Sequence, residues 1–176
     1  ELTFPHVKGY DVSGRVVEIG KNIKNVKIGD EVFARPNQMD AGSIAEFARI
    51  QGDELAIKPS NLTHVQAASV PLAGLTAWQA LVTKGKIKEG NKVLIHAGSG
   101  GVGTLAIQIA KHCGAFVVTT TSGKNVGLVS ELGADLIIDY TIQNFEDELS
   151  DCDLVIDTIG GETLARSFKV LKKGGK

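Results

Sequence analysis

Residues 92–103 read Lys-Val-Leu-Ile-His-Ala-Gly-Ser-Gly-Gly-Val-Gly, and no other stretch limits so strongly what this chain can fold into. The branched run over 93–95 predicts a buried strand. Gly98-x-Gly100-x-x-Gly103 follows it directly, and residues 102–110 continue as an apolar helical segment. A strand that turns through such a loop into a helix leaves the first helical N–H groups unpaired at the positive end of the helix, where a pyrophosphate can sit. In this reading Gly98 takes the tight turn, Gly100 lets backbone approach the phosphates, and Gly103 lets helix and strand pack closely. The motif in its context points to dinucleotide binding by Gly98, Ser99, Gly100, Gly101, Val102 and Gly103.

The chain divides near residue 70. Before it, short runs over 12–19, 31–34, 44–50 and 54–57 are bounded by Gly20, Gly29-Asp30, Gly52 and Pro59, which predicts a small all-β unit over 1–70. Over 71–176 a helix from Pro71 to about Lys84 precedes an alternation. It runs strand 92–97, helix 101–113, strand 116–121, helix 124–132, strand 136–140, a short helix at 144–149, strand 153–158 and helix 161–171. These strands are apolar nearly throughout, as expected where helices cover both faces of a parallel sheet. The expected class is α/β, with a doubly wound parallel sheet.

Composition narrows the partners. A net charge of −1 supplies no clustered basic face for nucleic acid or an anionic membrane. No apolar stretch reaches the length of a membrane-spanning helix, and no charged-then-apolar leader stands at the start. Cys113 and Cys152 have no second cysteine nearby, so a disulfide framework is not expected and a reducing cytoplasm fits. His6, His64, His96 and His112 are scattered, and no metal site is expected from them.

The end of the second strand of the alternation bears on which dinucleotide is bound. An NAD site places Asp or Glu there, about 20 residues after the glycines begin, to hold the adenosine ribose. Here the segment from Val118 runs Val-Thr-Thr-Thr-Ser-Gly-Lys-Asn, and the next acid along the chain is Glu131. Hydroxyls and a lysine donate to a 2′-phosphate that a carboxylate would repel, so Thr120, Thr121, Ser122 and Lys124 read as a 2′-phosphate pocket and favour NADP(H). The alternative is that Ser122 caps the following helix and Lys124 is a solvated charge.

Four ordered motifs then carry a resemblance over essentially the whole chain. Gly9-Tyr10-Asp11-Val12-Ser13-Gly14, Gly29-Asp30-Glu31-Val32-Phe33, Val70-Pro71-Leu72-Ala73-Gly74-Leu75-Thr76-Ala77-Trp78 and Ala97-Gly98-Ser99-Gly100-Gly101-Val102-Gly103 together resemble the medium-chain dehydrogenase/reductase superfamily. Within it, the chain looks most like the zinc-free quinone oxidoreductases. The resemblance implies part of a GroES-like catalytic domain over 1–70 and part of a Rossmann NADP-binding domain over 71–176, with nicotinamide in the cleft between them and usually a homodimer. It places Thr76 at the nicotinamide end, Tyr140 near the adenosine half, and Thr158 and Gly160 beside the nicotinamide ribose. For Tyr140 a half-buried aromatic at a strand end is an equal alternative. It also implies a polypeptide roughly twice this length, a usual size for two domains.

The departures from that superfamily concern metal. Zinc-dependent relatives carry a Gly-His-Glu triplet where this chain has Gly9-Tyr10-Asp11, and a lobe of four cysteines where it has none between Ala34 and Ile44. Without a Lewis acid an alcohol is hard to deprotonate, whereas a quinone or conjugated carbonyl accepts a hydride unaided. The expected function is zinc-independent hydride transfer from NADPH to a small electrophilic acceptor of that kind. Enoyl or alkenal reduction and noncatalytic NADPH binding are the alternatives. Tyr10 could stack on the acceptor or donate to its developing oxyanion, or be a core residue of the β unit; Asp11 reads as structural.

Overall fold

The computed structural model describes residues 7–37 and 42–176, and the chain divides into the units Glu1–Leu75 and Thr76–Lys176. The first unit holds β1 (Val12–Arg15), β2 (Glu31–Ala34) and β3 (Leu55–Ile57), paired antiparallel in that order. Val12 lies opposite Ala34, and Val32 opposite Ile57. A helix not anticipated in this unit, α1 (His64–Ala68), begins in a capping box. The Thr63 side chain accepts the Gln66 N–H, and the Gln66 carboxamide accepts the Thr63 N–H at 2.9 Å. The Thr-x-x-Gln spacing that announces such a start was present in the sequence.

The strand expected at 44–50 does not form. Ile44 and Phe47 are 75% and 74% exposed, and the ladder position beside β2 goes to β3 instead. Ile44, Phe47 and Ile50 recur every third position rather than every second, so the run offers no single strand face to bury.

α2 (Pro71–Trp78) runs across the division between the units and continues into the second as a π-helical turn over Gln79–Lys84. There follow β4 (Lys92–Ile95), α3 (Gly101–His112), β5 (Phe116–Thr121), a 3-10 turn over Gly123–Asn125 and α4 (Val126–Glu131). β6 (Leu136–Asp139), α5 (Phe145–Glu148), β7 (Leu154–Ile156) and α6 (Gly161–Val170) complete the described alternation. The strands are parallel in the order β6-β5-β4-β7. This is the doubly wound α/β sheet that the sequence predicts.

Strand pleating separates two cores. Val93, Ile95 and Val117 pack with Ala106, Ile107 and Val129 of α3 and α4 on one face. Leu94, Val118 and Ile138 pack with Phe145 and Val170 of α5 and α6 on the other. Each fully buried branched side chain contributes about 1.5–3 kcal/mol. The winding reverses at β4, which lies between β5 and β7, so the C-terminal end of β4 is the switch point where such sheets bind ligands.

Candidate functional site

At that switch point the chain leaves β4 through Ala97, whose φ of +52° is left-handed. The tight turn expected of Gly98 is made by Ala97. Gly98 is required for space: a Cβ there would collide with the Thr119 hydroxyl oxygen. Gly103 behaves as expected, since a Cβ on it would run into the Ala97 carbonyl and the Gly98 backbone. The Gly100 N–H closes the turn on the Ala97 carbonyl at 2.9 Å, and a Cβ on Gly100 would stand 3.2 Å from that same oxygen. The first helical bond runs from Thr104 N to the Gly100 carbonyl at 2.9 Å, so the N–H groups of Gly101, Val102 and Gly103 precede the ladder at the positive end of α3. Gly101 is exposed, and a Cβ on it would meet nothing within 4 Å. The turn therefore offers a bare backbone cradle at a helix N-terminus, which fits a pyrophosphate.

The threonines closing β5 do not act as one group. Thr119 and Thr121 share a face, and Thr120 takes the other by the period of the strand. The Thr120 hydroxyl is buried 3.0 Å from His96 Nδ1 and accepts the Ala97 N–H at 3.2 Å, so it cannot serve a 2′-phosphate. That expectation is corrected. The Thr121 hydroxyl donates to Ser99 Oγ at 3.1 Å, and Asn125 Nδ2 donates to Ser99 Oγ at 3.1 Å and to Ser122 Oγ at 3.3 Å. Ser99, Thr121, Ser122 and Asn125 thus stitch the glycine turn to the end of β5, with exposed Lys124 on the same loop. Ser122 makes no side-chain cap, contrary to the alternative reading.

Sequence reasoning missed two residues here. Asn125 was recognisable three positions after Ser122. Asp139, the other, lies in parallel register with Thr121 at the end of β6, and its carboxylate accepts the Gly123 N–H of the loop. Hydrogen bonds from the Thr141 hydroxyl and N–H hold the Asp139 carboxyl below its ordinary range against burial, with the Gly123 N–H adding a smaller push in the same direction. An acid therefore stands beside the loop after all, brought there by strand pairing rather than by chain distance.

The remaining expected positions are placed as follows. Tyr140, just beyond β6, is 60% exposed and so is not the half-buried aromatic of the alternative reading. Thr158 is exposed in the loop after β7, and Gly160, with φ +76°, precedes α6. Asp157 shapes that loop by accepting the N–H groups of Ile159 at 2.7 Å and Gly160 at 3.0 Å. Thr76 lies exposed on α2. In the first unit Tyr10 is 49% exposed, which removes the reading as a core tyrosine. Asp11 is structural: its carboxylate accepts the Leu72 N–H at 2.6 Å.

Two polar groups outside the expected set are notable. His96 is buried between Thr120 and Ser167, and burial, with Arg166 adding and Asp157 opposing, holds its imidazole below the usual histidine range. In the first unit Ser13 Oγ lies 2.8 Å from His64 Nδ1, and His64 Nε2 lies 3.4 Å from a Glu31 carboxylate oxygen. The Ser13 proton is given to the Val32 carbonyl at 2.9 Å, so this trio is not an activated nucleophile.

Residues 1–134 match the family of the alcohol dehydrogenase GroES-like domain, and residues 101–176 that of the zinc-binding dehydrogenases. The chain belongs to the medium-chain dehydrogenase/reductase superfamily. Its likeness within it is to the quinone oxidoreductases. A mitochondrial NAD(P)H oxidoreductase of Danio rerio is 44% identical over 176 residues, covering 96% of this chain and 46% of the relative. A chloroplastic NADPH-dependent alkenal/one oxidoreductase of Arabidopsis thaliana is 43% identical over 98% of this chain and 46% of its own length. The solved quinone oxidoreductase of Coxiella burnetii superimposes with a TM-score of 0.88 at 42% identity, over 98% of this chain and 55% of that one. The chain spans about half the length of the relatives it matches.

Membership in a superfamily with zinc-binding dehydrogenases calls for a test of the donors. His6 lies outside the described residues, and among those described no three of His, Cys, Asp and Glu stand together as a zinc site needs. At the position of the zinc-dependent triplet Tyr10 is not an imidazole, and Asp11 is engaged with Leu72. The residues described do not fit a zinc centre.

Proposed function

We propose that this protein is an oxidoreductase that binds NADPH and reduces a quinone or a conjugated carbonyl compound. The observation that carries the reading is the cradle after β4: a left-handed Ala97, glycines that close the turn, and a helix whose first N–H groups precede its ladder. The bound dinucleotide would supply the hydride. Gly101, Val102 and Gly103 would receive its pyrophosphate on backbone N–H groups, while Gly98 and Ser99 set the shape of the turn. Thr121 orients Ser99, and Ser122 and Lys124 would meet the 2′-phosphate. Tyr140 would flank the adenosine half. Thr76, Thr158 and Gly160 would lie at the nicotinamide end.

The acceptor class follows from chemistry the chain can offer. With no zinc donor set among the described residues, polarisation of an alcohol has no support, and an electron-poor acceptor takes the hydride with help from position and water exclusion alone. The half-exposed Tyr10 ring is available to stack on such an acceptor or donate to its forming oxyanion. Relatives named for quinone and for alkenal/one substrates support this class. We further propose a homodimer in a reducing cytoplasm, consistent with two unpaired cysteines.

Loss of NADPH absorbance against a panel of quinones and enones tests the proposal, with the products showing whether a carbonyl or a carbon–carbon double bond was reduced. Turnover with either class supports it. Tight NADPH binding without turnover of any acceptor would make the protein a noncatalytic binder.

A further inference from the structure

The buried side chain of His96 has no part in that reading. His96 follows an apolar strand, is 1% exposed, and has both ring nitrogens engaged. The proton positions can be deduced from its neighbours. Ser167 has one hydroxyl proton and donates it to the Thr163 carbonyl at 2.7 Å, so at 3.0 Å it must accept from His96 Nε2–H. In the neutral ring Nδ1 is then bare and accepts the Thr120 hydroxyl at 3.0 Å. Thr120 Oγ1, its proton committed to the histidine, turns a lone pair to the Ala97 N–H at 3.2 Å. One tautomer satisfies every donor and acceptor in the series.

The end of this relay is the residue on which the cradle depends. Ala97 is held in a left-handed conformation that strains any residue with a Cβ, and its carbonyl closes the turn on Gly100. The other end is α6, whose first residues follow Thr158 and Gly160. Phe145 meets the ring of His96 edge-on at a centroid distance of 4.6 Å and fixes its plane.

We propose that His96 is a positioning residue for dinucleotide binding: through Thr120 it holds the Ala97 peptide that shapes the glycine turn, and through Ser167 it ties that turn to α6. The inference rests on the NADPH reading above.

The test compares His96→Asn with His96→Gln. A carboxamide on the shorter side chain reaches the place of Nδ1 and can accept from Thr120; on the longer one it reaches the place of Nε2 and can donate to Ser167. Both variants should melt at lower temperature than the parent. In calorimetric titrations His96→Asn should keep NADPH affinity within about threefold, while His96→Gln should lose about tenfold or more. Adenosine 2′-monophosphate, which has no pyrophosphate, should bind both variants like the parent. Equal NADPH loss in the two, no loss in either, greater loss in His96→Asn, or a matching loss for adenosine 2′-monophosphate would overturn the proposal. Nitrogen NMR of the parent imidazole gives a second reading that needs no variant. A proton on Nε2 and none on Nδ1 is expected; the reverse refutes the relay. A parent protein that binds no NADPH refutes the functional reading itself, before any variant is compared.

Discussion

The carboxylate of Asp139 lies under Gly123, close enough that a Cβ on the glycine would stand 2.6 Å from Oδ2. This puts a negative charge beside the loop proposed to hold a 2′-phosphate. Asp139→Asn should therefore raise the preference for NADPH over NADH by about threefold or more at low salt, an effect that added salt should diminish. Parallel titrations with the two cofactors measure it, and an unchanged ratio would remove Asp139 from the specificity of the site.

Lys124 acts in the opposite sense on the same loop. Lys124→Glu should weaken NADPH by at least about tenfold while leaving NADH nearly unaffected, since only the former carries the phosphate. Equal losses for both cofactors would place Lys124 outside the pocket.

Gly98 and Gly101 separate folding from binding within one motif. Gly98→Ala drives a methyl into Thr119 and should destabilise the protein by about 1–3 kcal/mol. Gly101→Ala meets no atom of the chain and adds a better helix former at the start of α3, so its stability should be unchanged or higher by up to about 1 kcal/mol. Its NADPH affinity should nonetheless fall if the cofactor backbone approaches Gly101 as proposed, because a methyl there would crowd it. Melting curves paired with calorimetry check both, and parental affinity in Gly101→Ala would mean that the cofactor backbone does not approach there.

Asp135 governs part of the acid stability. Burial raises its pKa, but hydrogen bonds from Lys111 at 2.7 and 2.8 Å and from Val117 N at 2.7 Å outweigh that and hold it below the ordinary value of 3.8. A lowered native pKa means that this contribution is fully present above the unfolded value and is lost as pH falls through the native one. Asp135→Asn should cost about 1 kcal/mol at neutral pH, modest because the pair is partly solvated, and almost nothing at acid pH. Denaturant melts at neutral pH and well below pH 3.8, past the lowered native value, measure the difference. A penalty that persists undiminished in acid would show that the carboxylate's charge contributes nothing.

The sequence by itself determined the alternation of the second unit, because each strand and helix announces itself through local apolar period. It also determined the glycine turn, whose spacing requires backbone where other residues would put side chains. What only the tertiary structure decided depends on strand pairing and on which face a side chain takes. The Ile44–Ile50 run reads as a short apolar segment between turn signals, but its large residues recur every third position and β3 holds the place beside β2. Three successive threonines look alike along the chain, yet pleating sends Thr120 to His96 and Thr121 to Ser99. Asp139 is remote from the loop in sequence and adjacent to it in register. Ala97, rather than a glycine, takes the left-handed turn: Gly100 holds its carbonyl locally, and Thr120 holds its N–H through a contact that exists only once β4 and β5 lie side by side.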